Sequence, residues 1–362
     1  MSLTLHVDGE CWRAHLRRVA EENPGLTPVV KGNGYGFTLP RLARKATWLA
    51  RQGHDVDTLA AGTYEELPQL ASRFAGDLLV LTPWRPSDRH VVAPADLAAR
   101  VIHTVSRPQD LAMLLDQQPD ARLVLERTTS MLRHGMSASE LREAGGVLGQ
   151  RDPRSHLRGA RVEGVALHLP LAHGSHVSEV HRLMTDVVAA GLDTRTIWVS
   201  HLSAAELRAL RMVYPDYVFR PRVGTDLWLG DRAALRVTAT VLDAHHLERG
   251  DVFGYRGRTA PRAGHLVIVS GGTAHGIGLE SPTGDASLRS RAATVARGGL
   301  DAIGFVRSPF SIDGKQRLFA EPPHMQASML FLAAGARVPA VGDEIDVRVR
   351  FTTTAFDRVV VS

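Results

Sequence analysis

Cysteine is almost absent from this 362-residue chain. With Cys11 alone there is no internal disulfide and no multi-cysteine metal site, and nothing else in the sequence calls for a metal. No apolar run reaches the length of about 18 residues that a membrane helix needs, and Met1-Ser2-Leu3-Thr4 lacks the basic and apolar regions of a secretory leader. A cytoplasmic protein without a membrane partner is therefore expected. The net charge is +5, yet the arginines are interspersed with acids and no basic run carries interleaved aromatics. That pattern argues against nucleic acid and leaves anionic small molecules as partners. Lysine and tyrosine are scarce as well. The lysines are Lys31, Lys45 and Lys315, and the tyrosines are Tyr35, Tyr64, Tyr214, Tyr217 and Tyr255. Each is worth attention wherever it stands.

What is present is a regular alternation. Eight short apolar runs, Leu26 to Lys31, Thr58 to Gly62, Asp77 to Thr82, Val101 to Val105, Ala121 to Arg127, Val162 to Leu169, Thr196 to Leu202 and Tyr217 to Arg222, are separated by stretches of helical period. Leu39, Leu42, Ala43, Ala46, Leu49 and Ala50 share one helical face, and Ser137-Ala138-Ser139-Glu140 can cap the helix after the fifth run. The count predicts an α/β fold, a (β/α)8 TIM-type barrel, over a doubly wound sheet. After Leu229-Gly230-Asp231 the texture changes to alternating runs such as Leu235 to Leu242, His265 to Ser270 and Asp343 to Phe351, continuing through Val361. The expected organisation is a barrel over residues 1–230 followed by a β-rich C-terminal domain over 231–362. The Gly/Pro-rich stretch Tyr255 to Gly264 and the Arg-rich stretch Arg289 to Gly299 are expected to be loops within it.

The active site of such a barrel lies at the C-terminal ends of its strands. Lys31 directly follows the first of them, at a position facing the mouth. Partial desolvation there would lower its pKa and make the amine nucleophilic toward a carbonyl, the chemistry of a Schiff-base lysine. A lysine snorkelling to solvent is the plain alternative. The following Gly32-Asn33-Gly34-Tyr35-Gly36 favours a ligand, because glycines let backbone approach it closely and a tyrosine hydroxyl can donate to a phosphate. The spacing is not that of a dinucleotide-binding fingerprint.

Lys31 to Gly36 resembles the cofactor-lysine motif of the alanine racemase family, pyridoxal-phosphate enzymes with a barrel followed by a β-domain. Phe37 and Thr38 replace that motif's closing His-Gly. The resemblance continues in chain order. Ser130-Met131-Leu132-Arg133-His134-Gly135 is similar to G-M-x-R-x-G, which implies that Arg133 bonds the cofactor's phenolic oxygen. Glu126, seven residues earlier, stands where the family often carries a carbamylated lysine, and it supplies a carboxylate directly. Glu163 to His168 is similar to E-G-x-x-T-H, which sets His168 beside the pyridine ring. Ser200 to Ala204 resembles a shortened H-x-x-N-S and implies phosphate binding by Ser203. Arg222-Val223-Gly224-Thr225 resembles R-x-G-[IT], placing Arg222 at the pyridine nitrogen and the backbone of Gly224 and Thr225 on phosphate. Tyr35 joins the cofactor set by the same resemblance.

Racemisation needs two acid/base groups flanking Cα. Lys31 is one, and the family takes the other, a tyrosine, from a partner subunit. Here Gly272-Thr273-Ala274-His275-Gly276 puts Thr273 at that position, and no tyrosine follows Tyr255. Histidine is the side-chain type suited to such proton transfer, so His275 is the expected substitute, with His324 as a second candidate. The reading is an amino-acid racemase of the alanine racemase type with a non-tyrosine second acid/base, acting on a small amino acid as a homodimer. The alternatives are a decarboxylase or lyase on the same scaffold that needs only Lys31, and a non-catalytic pyridoxal-phosphate-binding protein.

Overall fold

A computed structural model describes residues 2–87, 95–149, 159–171, 175–279 and 306–362. The Arg-rich stretch Arg289 to Gly299 lies outside the described residues. The chain divides into two compact units. One comprises Arg13–Gly34 and Thr38–Gly230, the other Met1–Trp12, Tyr35–Phe37 and Asp231–Ser362.

The first strand, β1 (Leu3–Val7), is followed by the eight strands of a closed parallel barrel. These are β2 (Thr27–Val30), β3 (Thr58–Ala61), β4 (Asp77–Val80), β5 (Val101–Val105), β6 (Arg122–Arg127), β7 (Arg161–Leu167), β8 (Thr196–Ser200) and β9 (Val218–Val223). Each falls within a residue or two of an apolar run read from the sequence, because strands covered on both faces carry near-continuous hydrophobic segments. The helix Leu39–Arg51 buries Leu39, Leu42, Ala43, Ala46 and Leu49 on one face. At the start of the helix Ala138–Gly149, Glu140 N–H donates to Ser137 Oγ and Ser137 N–H donates to the Glu140 carboxylate, closing the expected capping box.

Side chains alternate across a strand, so one inward residue from each forms a layer of the barrel core. Val29, Ala60, Leu79, Ile102, Val124, Ala166 and Trp198 form that layer from β2 to β8. On β9 Arg220 completes it, its guanidinium 4.6 Å above the Trp198 ring. This register fixes what stands one step higher. Two residues on along each strand come Lys31, Gly62, Leu81, Thr104, Glu126, His168, Ser200 and Arg222. The apolar layer thus floors a ring that is largely polar and opens at the C-terminal ends of the strands.

The second unit is an antiparallel-rich sheet. Its other strands are β10 (Leu235–Leu247), the short pair β11 (Val252–Phe253) and β12 (Arg258–Thr259), β13 (Gly264–Ser270), β14 (Arg307–Ile312), β15 (Lys315–Phe319), β16 (Ala327–Ala333), β17 (Glu344–Val347) and β18 (Arg358–Val361). The order of the large sheet is β13-β16-β15-β14-β17-β10-β1-β18, and β13 also pairs with β10. β1 runs antiparallel to β10 and parallel to β18.

Candidate active site

Lys31 leaves β2 on a tight turn. Gly34 N–H donates to Lys31 O at 3.1 Å, and Gly34 has φ +63 with the Leu39 amide nitrogen only 2.8 Å from where a Cβ would sit, so only glycine fits. The lysine stays exposed at the mouth, yet its amine is held below the ordinary lysine range. Desolvation is the largest cause, the positive charges of Arg133 and Arg222 act in the same direction, and Glu66 opposes them.

Arg222 is almost closed to solvent at 6% exposure, and burial pushes its pKa down to about 10 despite the attraction of Glu126. Its Nη2 donates to Leu167 O at 3.3 Å, while its Nε has no partner among the described residues. Glu126 mirrors it. Burial pushes the carboxyl above the usual carboxylate range, the charges of Arg222, Arg133 and Arg85 pull it back, and Oε2 is left without a partner among the described residues. Two buried groups of opposite charge that keep unfilled hydrogen-bonding atoms form a surface ready for a polar ligand.

His168 shares a 3.0 Å hydrogen bond between Nδ1 and Ser200 Oγ, and its ring lies 5.4 Å from that of His201. Desolvation first, then the charges of Arg222 and Arg133, push its pKa down to about 3, so it is a neutral imidazole at any ordinary pH. His201 adopts φ 58, and its Nδ1 donates to Leu169 O at 2.6 Å. Arg133 is exposed on the loop after β6, and its charge reaches Lys31, Glu126 and His168. The barrel therefore brings Lys31, Arg133, His168 and Arg222 of the expected set to one electrostatically coupled cluster, with Glu126.

The other expected residues stand as follows. Gly224 precedes the short helix Thr225–Leu229, directly after β9. Ser203 caps the helix Ala204–Val213, and both its N–H and its hydroxyl donate to Glu206 Oε2 at 2.8 Å. Tyr35 belongs to the β-rich unit, where it is buried with φ 53. In the same unit His275 is 6% exposed and engaged at both ring nitrogens. Gly272 N–H donates to Nδ1 at 3.2 Å, and Nε2 donates to Asp357 Oδ1 at 3.1 Å. His324 Nε2 donates to the buried Glu321 Oε1 at 2.6 Å, and its Nδ1 has no partner among the described residues. Its loop lies along the Thr273 segment, with Thr273 N–H donating to His324 O and Ala274 N–H to Met325 O.

Sequence reasoning missed Glu66 and Arg85. Glu66 accepts from the N–H groups of Gly32 and Gly62, each at 2.6 Å, and Arg85, anchored on Asp110 at 2.7 Å, adds charge beside Glu126. The pattern Thr63-x-x-Glu66 behind a strand-ending glycine was the available signal for the first.

A family model described as the alanine racemase N-terminal domain matches residues 11–230. The fold resembles that of the alanine racemase from Bartonella henselae with covalently bound pyridoxal phosphate, at a TM-score of 0.70 and 16% identity, covering 100% of both chains. It also resembles alanine racemase from E. faecalis, at 0.67 and 18%, covering 99% of this chain and 98% of that one. The enzyme from D-cycloserine-producing Streptomyces lavendulae gives 0.67 and 18% over 100% and 97%. No curated protein matches the sequence.

Proposed function

The chain belongs to the alanine racemase family, and from that premise we propose that it is a pyridoxal-phosphate-dependent racemase of a small amino acid. The observation that carries this reading is the ring of inward side chains above the barrel core. A lysine of lowered pKa there shares one end of the barrel with a buried arginine and a buried glutamate that keep unfilled polar atoms.

Those atoms fit the cofactor. Lys31 would hold it covalently, Arg222 would face the pyridine nitrogen, Arg133 the phenolic oxygen and His168 the ring. The backbone of Gly224 and Thr225 would take the phosphate. Ser203 would join them by exchanging its bond to Glu206. Pyridoxal phosphate, when bound, supplies an electron sink for the pair left at Cα as its proton departs. Arg222 remains a cation at neutral pH and disfavours a second positive charge on the ring nitrogen beside it. That weakens the sink and confines chemistry to proton transfer at Cα. Glu126, whose carboxylate feels the charges of both Arg222 and Arg133, would orient Arg133 toward the cofactor. Lys31 takes or returns the Cα proton on one face.

The second proton-transfer group in this reading is a histidine of the β-rich unit, supplied by a second copy in a homodimer. His275 would have to release one of two hydrogen bonds to serve, whereas His324 already has an unfilled Nδ1 and a buried glutamate fixing the ring. That difference favours His324. Incubation with L- and D-alanine and a panel of other amino acids in deuterated water tests the proposal. Racemisation and Cα deuteration are expected, and the absence of both across the panel would refute it. A decarboxylase or lyase is the second reading. It is favoured by Thr273 at the tyrosine's position and by the engaged nitrogens of His275, and it predicts product without inversion of the starting enantiomer.

A further inference from the structure

Lys31 is carried on the turn after β2, and a side chain from the next crossover holds that turn. The Glu66 carboxylate spans two backbones. Oε1 accepts from Gly32 N–H at 2.6 Å, and Oε2 accepts from Gly62 N–H at 2.6 Å and from Thr63 N–H at 3.4 Å. Gly32 directly follows Lys31, and Gly62 directly follows β3. The convergence leaves no spare room. A Cβ on Gly62 would stand 2.9 Å from Lys31 Cβ and 3.0 and 3.2 Å from the two Glu66 carboxylate oxygens. Glycine at the end of β3 is thus what allows lysine, carboxylate and backbone to approach.

We propose that Glu66 is the positioning residue for Lys31, fixing the lysine-bearing turn to the end of β3 through Gly32 and Gly62. Charge-assisted hydrogen bonds from backbone N–H groups to a carboxylate are short and geometrically specific, and both oxygens are used. A neutral amide of the same shape cannot replace it. Glutamine presents one accepting oxygen and one NH2 group, so one of the two backbone donors would face another donor.

The same carboxylate also acts on the charge of the amine, opposing desolvation, which is the largest influence, and the two arginines. The groups acting on Lys31 are Arg133 and Arg222, which favour loss of its proton, and Glu66, which favours its retention. The histidines that feel Lys31, His168 and His201, are both held below the ordinary histidine range, by desolvation first, and His168, at about 3, is neutral at ordinary pH. Glu66 is thus the anion that balances two guanidinium groups around Lys31, and its removal releases the proton at lower pH.

The inference rests on Lys31 being the reacting amine, and its test is made on the cofactor-free protein so that the two claims can fail separately. Reductive methylation with formaldehyde and cyanoborohydride, followed by peptide mapping across a pH series, compares Lys31 with Lys45 and Lys315 as internal references. In Glu66→Gln, Lys31 at neutral pH is expected to react about three- to tenfold faster relative to the references, a tenfold change corresponding to one pH unit in the midpoint. Glu66→Asp keeps the charge but draws the carboxylate back by one methylene. It is expected to leave Lys31 reactivity within about twofold of wild type while capture of pyridoxal phosphate slows. Unchanged Lys31 reactivity in a folded Glu66→Gln protein, or equal capture rates for wild type and Glu66→Asp, would overturn the proposal. A protein that never captures pyridoxal phosphate but shows the accelerated Lys31 in Glu66→Gln would retain the charge role of Glu66, and would refute the assigned function and the positioning step tied to it.

Discussion

In the barrel, Glu126 and Arg222 are nearly closed to solvent and each keeps a polar atom without a partner among the described residues. In the β-rich unit His275, equally closed, has both ring nitrogens engaged, and Glu321 Oε1 accepts from both Tyr255 N–H and His324 Nε2. The β-rich unit has one unfilled buried atom of this kind among the described residues, Nε of Arg317, on a guanidinium that already donates to Ile312 O. Unfilled buried polar atoms cost stability unless something else holds them. In the barrel Thr27 Oγ1 and Arg220 Nε share this state at or below the floor layer, while Glu126 Oε2 and Arg222 Nε stand on the polar ring where the proposed cofactor would fill them. Filled ones lock a fold. Asp357, for example, joins His275 to the start of β1 by accepting from Leu3 N–H at 2.8 Å as well.

Four perturbations test this contrast. Glu126→Ala removes the carboxylate whose charge acts on buried Arg222 and is expected to destabilise the barrel by about 1–3 kcal/mol in denaturant unfolding. A change below 1 kcal/mol would show that the charge is not held in tension. Arg222→Leu should cost less in folding but weaken capture of pyridoxal phosphate about ten- to a hundredfold, the worth of a charged hydrogen bond, as read by titration of the visible absorbance. His275→Ala, in the β-rich unit, removes two filled hydrogen bonds and is expected to lower stability by about 1–3 kcal/mol with proton exchange at Cα retained. Loss of exchange in a folded His275→Ala protein would return the second acid/base to His275 and erase the distinction between the units.

The smallest effect concerns pH. Desolvation pushes His103 down to about 4 and, together with neighbouring charges, His168 to about 3. The unfolded chain takes up these protons near pH 6.5, as free histidines do, while the folded barrel does not. Between about pH 6.5 and 4 the unfolded state therefore binds more protons, and folding stability falls as the solution is acidified through that window. His103→Gln removes one of the two contributions and is expected to flatten the fall measured by urea unfolding. An unchanged slope would show that the barrel does not hold His103 neutral.

The two regions were also unequally legible in the sequence. The eight barrel strands could be read because each is a local apolar run, and Lys31, His168 and Arg222 could be read because they continue the inward period of those runs. β1 could not. Its alternation is that of a strand, but its partner is β10, with Leu3 opposite Ala239, and a pairing more than 200 residues away leaves no local mark. Glu66 escaped for a related reason. Glu65-Glu66 reads as an ordinary acidic helix start, and its meaning comes from Gly32, which only the closed barrel brings beside Gly62. The hydrogen bonding of His275 was invisible as well, since the Asp357 that engages it lies 82 residues further along the chain.

Lys31 at the barrel mouth is proposed as the amine that holds pyridoxal phosphate, and the scarcity of lysine makes a direct test possible. The protein is loaded with pyridoxal phosphate, reduced with borohydride and digested, and the labelled peptide is identified by mass spectrometry. Stoichiometric label on Lys31, loss of the visible absorbance in Lys31→Ala, and no stoichiometric label on Lys45 or Lys315 are expected. Label distributed over Lys45 and Lys315, or a visible band that persists in Lys31→Ala, would contradict it.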